Sequence, residues 1–232
     1  MYDWVTHTLS IIQGECPGKC VYCYVKTGRA KDHPSYKGWP RVNEEDMKAN
    51  LGTGNTIFVC HMSDLFMKTR HGEIQSADII RVLDRLNQFP DNTYVLQSKN
   101  PRRIMDFLDR LPPKCIIGTT IETDEVRYIH DFSAAPAPRD RADAMKEIRQ
   151  WTGHKTFITI EPIIKMRPMV LAEMIVEARP TFVNIGADSK GNNLPEPTWE
   201  SVQELIKRLK QNNIEIREKT NLDRLERNSL IL

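Results

Sequence analysis

Short runs rich in β-branched and aromatic residues alternate along this chain with stretches whose apolar residues recur every three or four positions. The runs predict strands over 5–12, 56–60, 93–97, 115–121, 155–160, 181–185 and 215–217. Helical spacing predicts a helix from an Asn43 cap to residue 51, and one over 76–89 with Ile79, Ile80, Leu83 and Leu86 on one face. A third starts at an Asn100 cap with Pro101 at its first position, and Ile104, Leu108 and Leu111 follow; 139–151, 168–178 and 198–212 complete the set. Strands alternating with helices call for parallel pairing through crossovers. A closed eight-fold barrel needs about 250 residues, and this chain has 232. The expected fold is therefore α/β, a partial, open β/α barrel of about six β/α units with parallel strands. No linker, repeat or low-complexity run divides it, so 1–232 is expected to be one domain.

Composition narrows the partners. Hydrophobic content of 40% and charged content of 28% suit a globular chain with a real core. A net charge of +2 makes the chain no polycation, so nucleic-acid affinity has to come from a local patch. No apolar run is long enough to span a membrane, and the first residues lack the regions of a signal peptide. Five cysteines, three of them in one loop, argue against a secreted disulfide framework and for a reducing cytoplasm. Cys60 and Cys115 lie in apolar runs and read as buried packing thiols.

The three crowded cysteines, Cys16, Cys20 and Cys23, follow the first predicted strand, separated by three residues and then two. Three thiolates on one loop can hold three corners of a cubane iron–sulfur cluster and leave the fourth iron open to a small molecule. Structural zinc is the alternative, but only one Cys-x2-Cys pair is present and the fourth ligand would have to be His33 or His61. A thioredoxin-like pair at Cys20 and Cys23 should open a helix, and Cys16 has no place in it. In parallel β/α folds the site lies at the carboxyl ends of the strands. There the chain reads His61-Met62-Ser63-Asp64, Gln97-Ser98-Lys99, Thr120-Ile121-Glu122, Glu161-Pro162, Asp188-Ser189-Lys190 and Lys219-Thr220-Asn221. Every predicted strand end thus supplies a polar or charged group.

Cys-x3-Cys-x-aromatic-Cys, with Tyr22 as the aromatic residue, resembles the signature loop of the radical S-adenosylmethionine (SAM) superfamily. The resemblance implies a [4Fe–4S] cluster on Cys16, Cys20 and Cys23, SAM chelating the open iron, and reductive cleavage to a 5′-deoxyadenosyl radical that abstracts hydrogen from substrate. It also implies an external electron donor such as a flavodoxin or ferredoxin. Where members of the family carry a Gly-Gly-Glu-like motif for the methionine ammonium, this chain has Met62-Ser63-Asp64, whose hydroxyl and carboxylate suit the same group. The resemblance further implies Ser98 and Lys99 at the methionine carboxylate or an anionic substrate, and Thr120 and Glu122 near the ribose. Glu161 is a further SAM-side candidate, and His61, Asp188, Lys219 and Asn221 are candidates for substrate.

The segment after the cysteine loop carries Lys26, Arg29, Lys31, Lys37 and Arg41, with Tyr36 and Trp39 interleaved. Cations for phosphate beside aromatic rings for stacking form a nucleic-acid-binding pattern. Lys31, Tyr36, Lys37, Trp39 and Arg41 are the contact candidates. The resemblance extends to small phage-encoded members linked to thymidine hypermodification of DNA, and it implies rearrangement or other modification of an amino-acid-bearing thymidine, with the enzyme in the host cytoplasm. Three alternatives stay open: an enzyme acting on a free nucleotide or small metabolite, a repair lyase like spore photoproduct lyase, and a non-catalytic metal-binding module that recognises nucleic acid.

Overall fold

A computed structural model describes residues 2–28 and 30–229. Seven strands form one sheet: β1 (His7–Leu9), β2 (Thr56–Val59), β3 (Thr93–Gln97), β4 (Cys115–Thr120), β5 (Lys155–Ile160), β6 (Phe182–Ile185) and β7 (Glu215–Glu218). They lie side by side in chain order and every pairing is parallel. β1 and β7 stand at opposite edges, so the sheet is open, as the alternation predicts. Helices α1 (Ser76–Asn87), α2 (Pro138–Thr152), α3 (Pro168–Ala178) and α4 (Trp199–Gln211) occupy the crossovers, together with a 3-10 helix over Pro101–Arg110.

The period of two along each strand sorts side chains onto the two faces. Ile57, Val59, Leu96, Ile117, Ile158, Ile160, Val183 and Ile185 pack with the buried stripes of the helices, among them Ile79, Leu83, Met145, Ile148, Leu171, Ile175, Leu205 and Leu209. The intervening positions Phe58, Val95, Ile116, Phe157 and Phe182 turn the other way and pack with Tyr2, Trp4 and Val5. Tyr2 and Trp4 stack on each other with centroids 5.3 Å apart, and Trp4 meets Phe157 and Phe182 edge-on. The segment preceding β1 thus covers the concave face that an open sheet leaves bare.

Three predicted elements differ. Only His7–Leu9 joins the sheet from the run over 5–12; Ile12–Gln13 pairs antiparallel with Arg41–Val42 in a separate ribbon. The predicted helix over 43–51 is one 3-10 turn, Asp46–Lys48. Asn43 does its local work there, accepting from the Glu45 amide and donating to Asp46, but Met47 and Leu51 alone give no apolar stripe to bury. Asn100 does not cap with its side chain; its amide donates to the Phe66 carbonyl, and the helix it precedes is 3-10 with a break at Phe107.

Candidate active site

Two neighbouring segments hold the cysteine loop in place. The Thr69 hydroxyl donates to the Pro17 carbonyl at 2.9 Å. From the segment after β4, the Ala134 amide and the Ser133 hydroxyl donate to the Gly18 carbonyl at 2.8 and 3.2 Å, and the Val21 amide donates to Phe132 O. The loop opens into a cavity of about 680 Å³ that Cys16, Cys20, Tyr22 and Cys23 line together with residues from the ends of the other strands. No cysteine is in a disulfide. Burial, then the nearby Asp64 and Cys20, push the Cys16 thiol up from its ordinary range. Among the described residues no three His, Cys, Asp or Glu side chains close on a single metal ion.

Most sequence-predicted candidates converge here. His61, Ser63, Asp64, Ser98, Lys99, Thr120, Glu161, Asp188 and Lys219 all line the cavity. Asp64 is buried and ties two strand ends together, its oxygens accepting from the Phe66 amide at 3.0 Å and the Lys99 amide at 2.9 Å. Burial pushes its pKa up, partly offset by those hydrogen bonds. Ser63 Oγ is buried with no partner, a polar atom on the cavity wall that a ligand can satisfy. His61 stands beside Ser10, with Nδ1 3.3 Å from its hydroxyl, and burial lowers its pKa. Lys219 pairs with Glu161 at 2.5 Å.

Two candidates lie elsewhere than the resemblance implies, and a third reaches the wall with its charge already engaged. Glu122 lies beneath the wall and off the cavity surface. Its Oε1 accepts from Tyr22 at 2.5 Å and Lys99 at 2.7 Å, and its Oε2 from Arg141 at 2.8 Å, so both oxygens are taken up by the protein. Asn221 also sits behind the wall, its amide donating to Ala187 O and Glu161 and its oxygen accepting from the Ala187 amide. Asp188 reaches the cavity, but its carboxylate holds its own loop, accepting from the Lys190 and Asn192 amides and the Asn192 side chain.

The basic segment adjoins the cysteine loop without entering the cavity. The Gly14 amide donates to Ser35 O and the Glu15 amide to Gly38 O, which pins the two together. Lys31, Lys37, Trp39 and Arg41 are exposed and Tyr36 is half-buried; none of the five lines the cavity, and Arg29 lies outside the described residues. Trp39 is 73% exposed, the most exposed of the large apolar side chains among the described residues.

Sequence reasoning passed over Tyr2, Gln97 and Thr159 as a group, and Arg141. The Tyr2 hydroxyl donates to Gln97 at 2.9 Å and stands 2.7 Å from Thr159 Oγ1, forming the cavity floor. Arg141 sits on the buried stripe of α2 with Met145 and Ile148, and a charge at such a position is the sequence signal that marks it.

Thiols are soft ligands suited to iron–sulfur clusters. Three free thiols on one clamped loop, opening on a large cavity with an orphaned hydroxyl on its wall, fit a cluster with SAM beside it.

A comparison with curated proteins finds no match. Among solved structures, a spore photoproduct lyase variant with bound AdoMet and dinucleoside spore photoproduct is similar at TM-score 0.54 and 15% identity, over 90% of this chain and 62% of the lyase. SuiB of Streptococcus suis, bound to S-adenosylmethionine, gives 0.58 and 10%, over 93% and 51%. A radical SAM methyltransferase from Sphaerobacter thermophilus gives 0.59 and 12%, over 96% and 69%. The open parallel sheet is thus a fold shared with radical SAM enzymes, and the chain spans less than two thirds of the lyase it resembles. Residues 3–175 match the model of the family described as "Protein of unknown function (DUF5131)", and the chain belongs to that family.

Proposed function

We propose that this chain is a radical SAM enzyme. The observation that carries the reading is the clamped Cys16–Cys20–Cys23 loop opening into the cavity where the strand ends converge. When bound, the cluster and SAM supply a reductively generated 5′-deoxyadenosyl radical for hydrogen abstraction. The protein's part is to hold and to screen. Cys16, Cys20 and Cys23 would hold the cluster, with SAM bound beside it. Ser63, with its orphaned hydroxyl, and Asp64 would take the ammonium group, and Ser98 and Thr120 the neighbouring polar groups. Tyr2 and Phe58 floor the cavity and keep water from the reacting carbon. The Glu161–Lys219 pair and His61 face the space left for substrate.

The substrate we favour is a modified thymidine in DNA, rearranged or otherwise altered at its amino-acid adduct. Lys31, Lys37 and Arg41 suit phosphates, and exposed Trp39 with Tyr36 suits stacking, all on a segment pinned to the cysteine loop. A base in duplex has to be flipped out to reach a cavity of this kind. A repair lyase is the second reading, favoured by the likeness to the lyase solved with a dinucleoside photoproduct. The test is anaerobic reconstitution with SAM and reductant, followed by mass spectrometry of nucleosides from modified and ultraviolet-irradiated DNA. Formation of 5′-deoxyadenosine with a changed nucleoside is expected. Zinc in place of iron and sulfide, with no SAM cleavage, overturns the reading in favour of a metal-binding recognition module.

A further inference from the structure

The buried group formed by Tyr22, Lys99, Glu122 and Arg141 carries more charge than binding or packing accounts for. Glu122 and Arg141 have no solvent exposure at all. Arg141 makes its contacts through Nη1, to the Glu122 carboxylate and the Thr120 carbonyl, while its Nε and Nη2 are buried without a partner. Desolvating two charges offsets most of their attraction, and two orphaned donors add to the cost. A packing role is better served by an apolar side chain. What the guanidinium supplies is charge: within this contact group two cations, Lys99 and Arg141, meet the single carboxylate of Glu122, while Asp64, the next acidic group, accepts from the Lys99 backbone amide.

The Lys99 charge sits on the cysteine loop. The Lys99 ammonium lies 3.5 Å from Cys20 Sγ, 2.7 Å from the Glu122 carboxylate and 2.7 Å from the Tyr22 hydroxyl, and it stands 4.4 Å over the Tyr22 ring. The three contacts with Glu122 and Tyr22 fix it against the sulfur. The Ser133 hydroxyl, which donates to the Gly18 carbonyl, also lies 3.1 Å from the same sulfur. The geometry points to Glu122 and Arg141 as positioning residues that act through Lys99 to hold a fixed positive charge against Cys20 and raise the reduction potential of a cluster carried there. A nearby positive charge and hydrogen bonds to the sulfurs favour the reduced, more negative cluster. The inference rests on the cysteine loop being the cluster site, as proposed above. It gives Lys99 a task at the thiolate in place of the methionine carboxylate.

The test is the midpoint potential of the reconstituted cluster, followed by electron paramagnetic resonance during titration with dithionite, alongside iron and sulfide content. Lys99→Gln shifts the midpoint to more negative values and Lys99→Arg, which keeps the charge, holds it. Glu122→Gln shifts it to more positive values, because it removes the carboxylate in direct contact with the Lys99 ammonium. Opposite signs from two neighbouring substitutions are what a purely structural role does not produce. If Glu122→Gln fails to fold, the Lys99→Gln and Lys99→Arg comparison at the cavity edge still decides. Wild-type protein that binds no iron and sulfide overturns the cluster reading and this inference together. Wild-type protein that loads, with midpoints that stay put or move in the same direction, overturns this inference alone.

Discussion

The Arg141 guanidinium lies 2.8 Å from the Glu122 carboxylate, and both side chains are wholly enclosed. Breaking such a pair from one side leaves an uncompensated buried charge, at a cost of roughly 3–5 kcal/mol. Arg141→Met is therefore expected to lower the urea midpoint sharply, while the double variant Arg141→Met with Glu122→Gln recovers part of the loss. Equal losses in the single and double variants refute the pairing.

The same carboxylate sets an acid limit on stability. Burial pushes the Glu122 pKa up, but the Arg141 and Lys99 charges outweigh it and hold the group well below its ordinary value of 4.5. A carboxylate depressed in the folded state contributes stability above the unfolded value and loses it as the pH falls through the folded one. The wild type should lose stability steadily below about pH 4.5, and Glu122→Gln should show a shallower acid limb in the urea midpoint against pH. A limb of unchanged slope counts against Glu122 as its source.

Two cysteines make a paired comparison. Cys20 lines the cavity on the clamped loop, whereas Cys115 is buried in the core beneath α-helices and takes no part in the cavity. Cys20→Ala is expected to abolish iron retention and 5′-deoxyadenosine formation. Cys115→Ala should retain both and cost roughly 0.5–3 kcal/mol in stability. Iron content after anaerobic gel filtration separates the two; a Cys20 variant that still makes 5′-deoxyadenosine removes that residue from the cluster.

Salt dependence reads out the basic segment. If Lys31, Lys37 and Arg41 meet phosphates, changing all three to Gln reduces the slope of log affinity against log salt by up to about 2.7, at roughly 0.9 for each phosphate contact. Fluorescence anisotropy on duplex oligonucleotides between low and physiological salt measures it. An unchanged slope shifts the reading toward a free nucleotide or small metabolite.

The alternation of strand-like runs with helical spacing, and the polar residues after each strand, made the parallel sheet and the cavity wall legible in the sequence. Both depend on local pattern, which a single sequence carries. The roles of Tyr2, Glu122 and Arg141 depend on who meets whom across the sheet. Glu122 looks like its neighbours at strand ends, and only the arrival of Arg141 from α2, 19 residues on, shows that its charge is turned inward. Tyr2 precedes β1 and has no periodicity to announce it; its place is set by the bare concave face that it covers with Trp4. The turn over 46–48 shows the converse, since Asn43 supplies the chemistry of a helix start and the apolar stripe needed to continue it is missing.

Gly118 and Phe157 show how tightly that concave face is filled. A Cβ at Gly118 would lie 2.2 Å from the Phe157 ring, closer than any real contact, although the Gly118 backbone itself is ordinary strand. The ring cannot simply swing aside, because it stacks on Phe182 with centroids 5.2 Å apart and an interplanar angle of 6°, and meets Tyr2 and Trp4 edge-on. Gly118→Ala is therefore an overpacking change, expected to cost about 1–3 kcal/mol. Tyr2 closes the cavity floor, so displacing the ring should also weaken SAM binding while leaving iron content intact. Phe157→Leu in the same chain frees space beside residue 118, so the double variant is expected to be more stable than the sum of the two single losses. Urea unfolding of the four proteins in this cycle checks it; strict additivity means that the ring and the glycine do not limit one another.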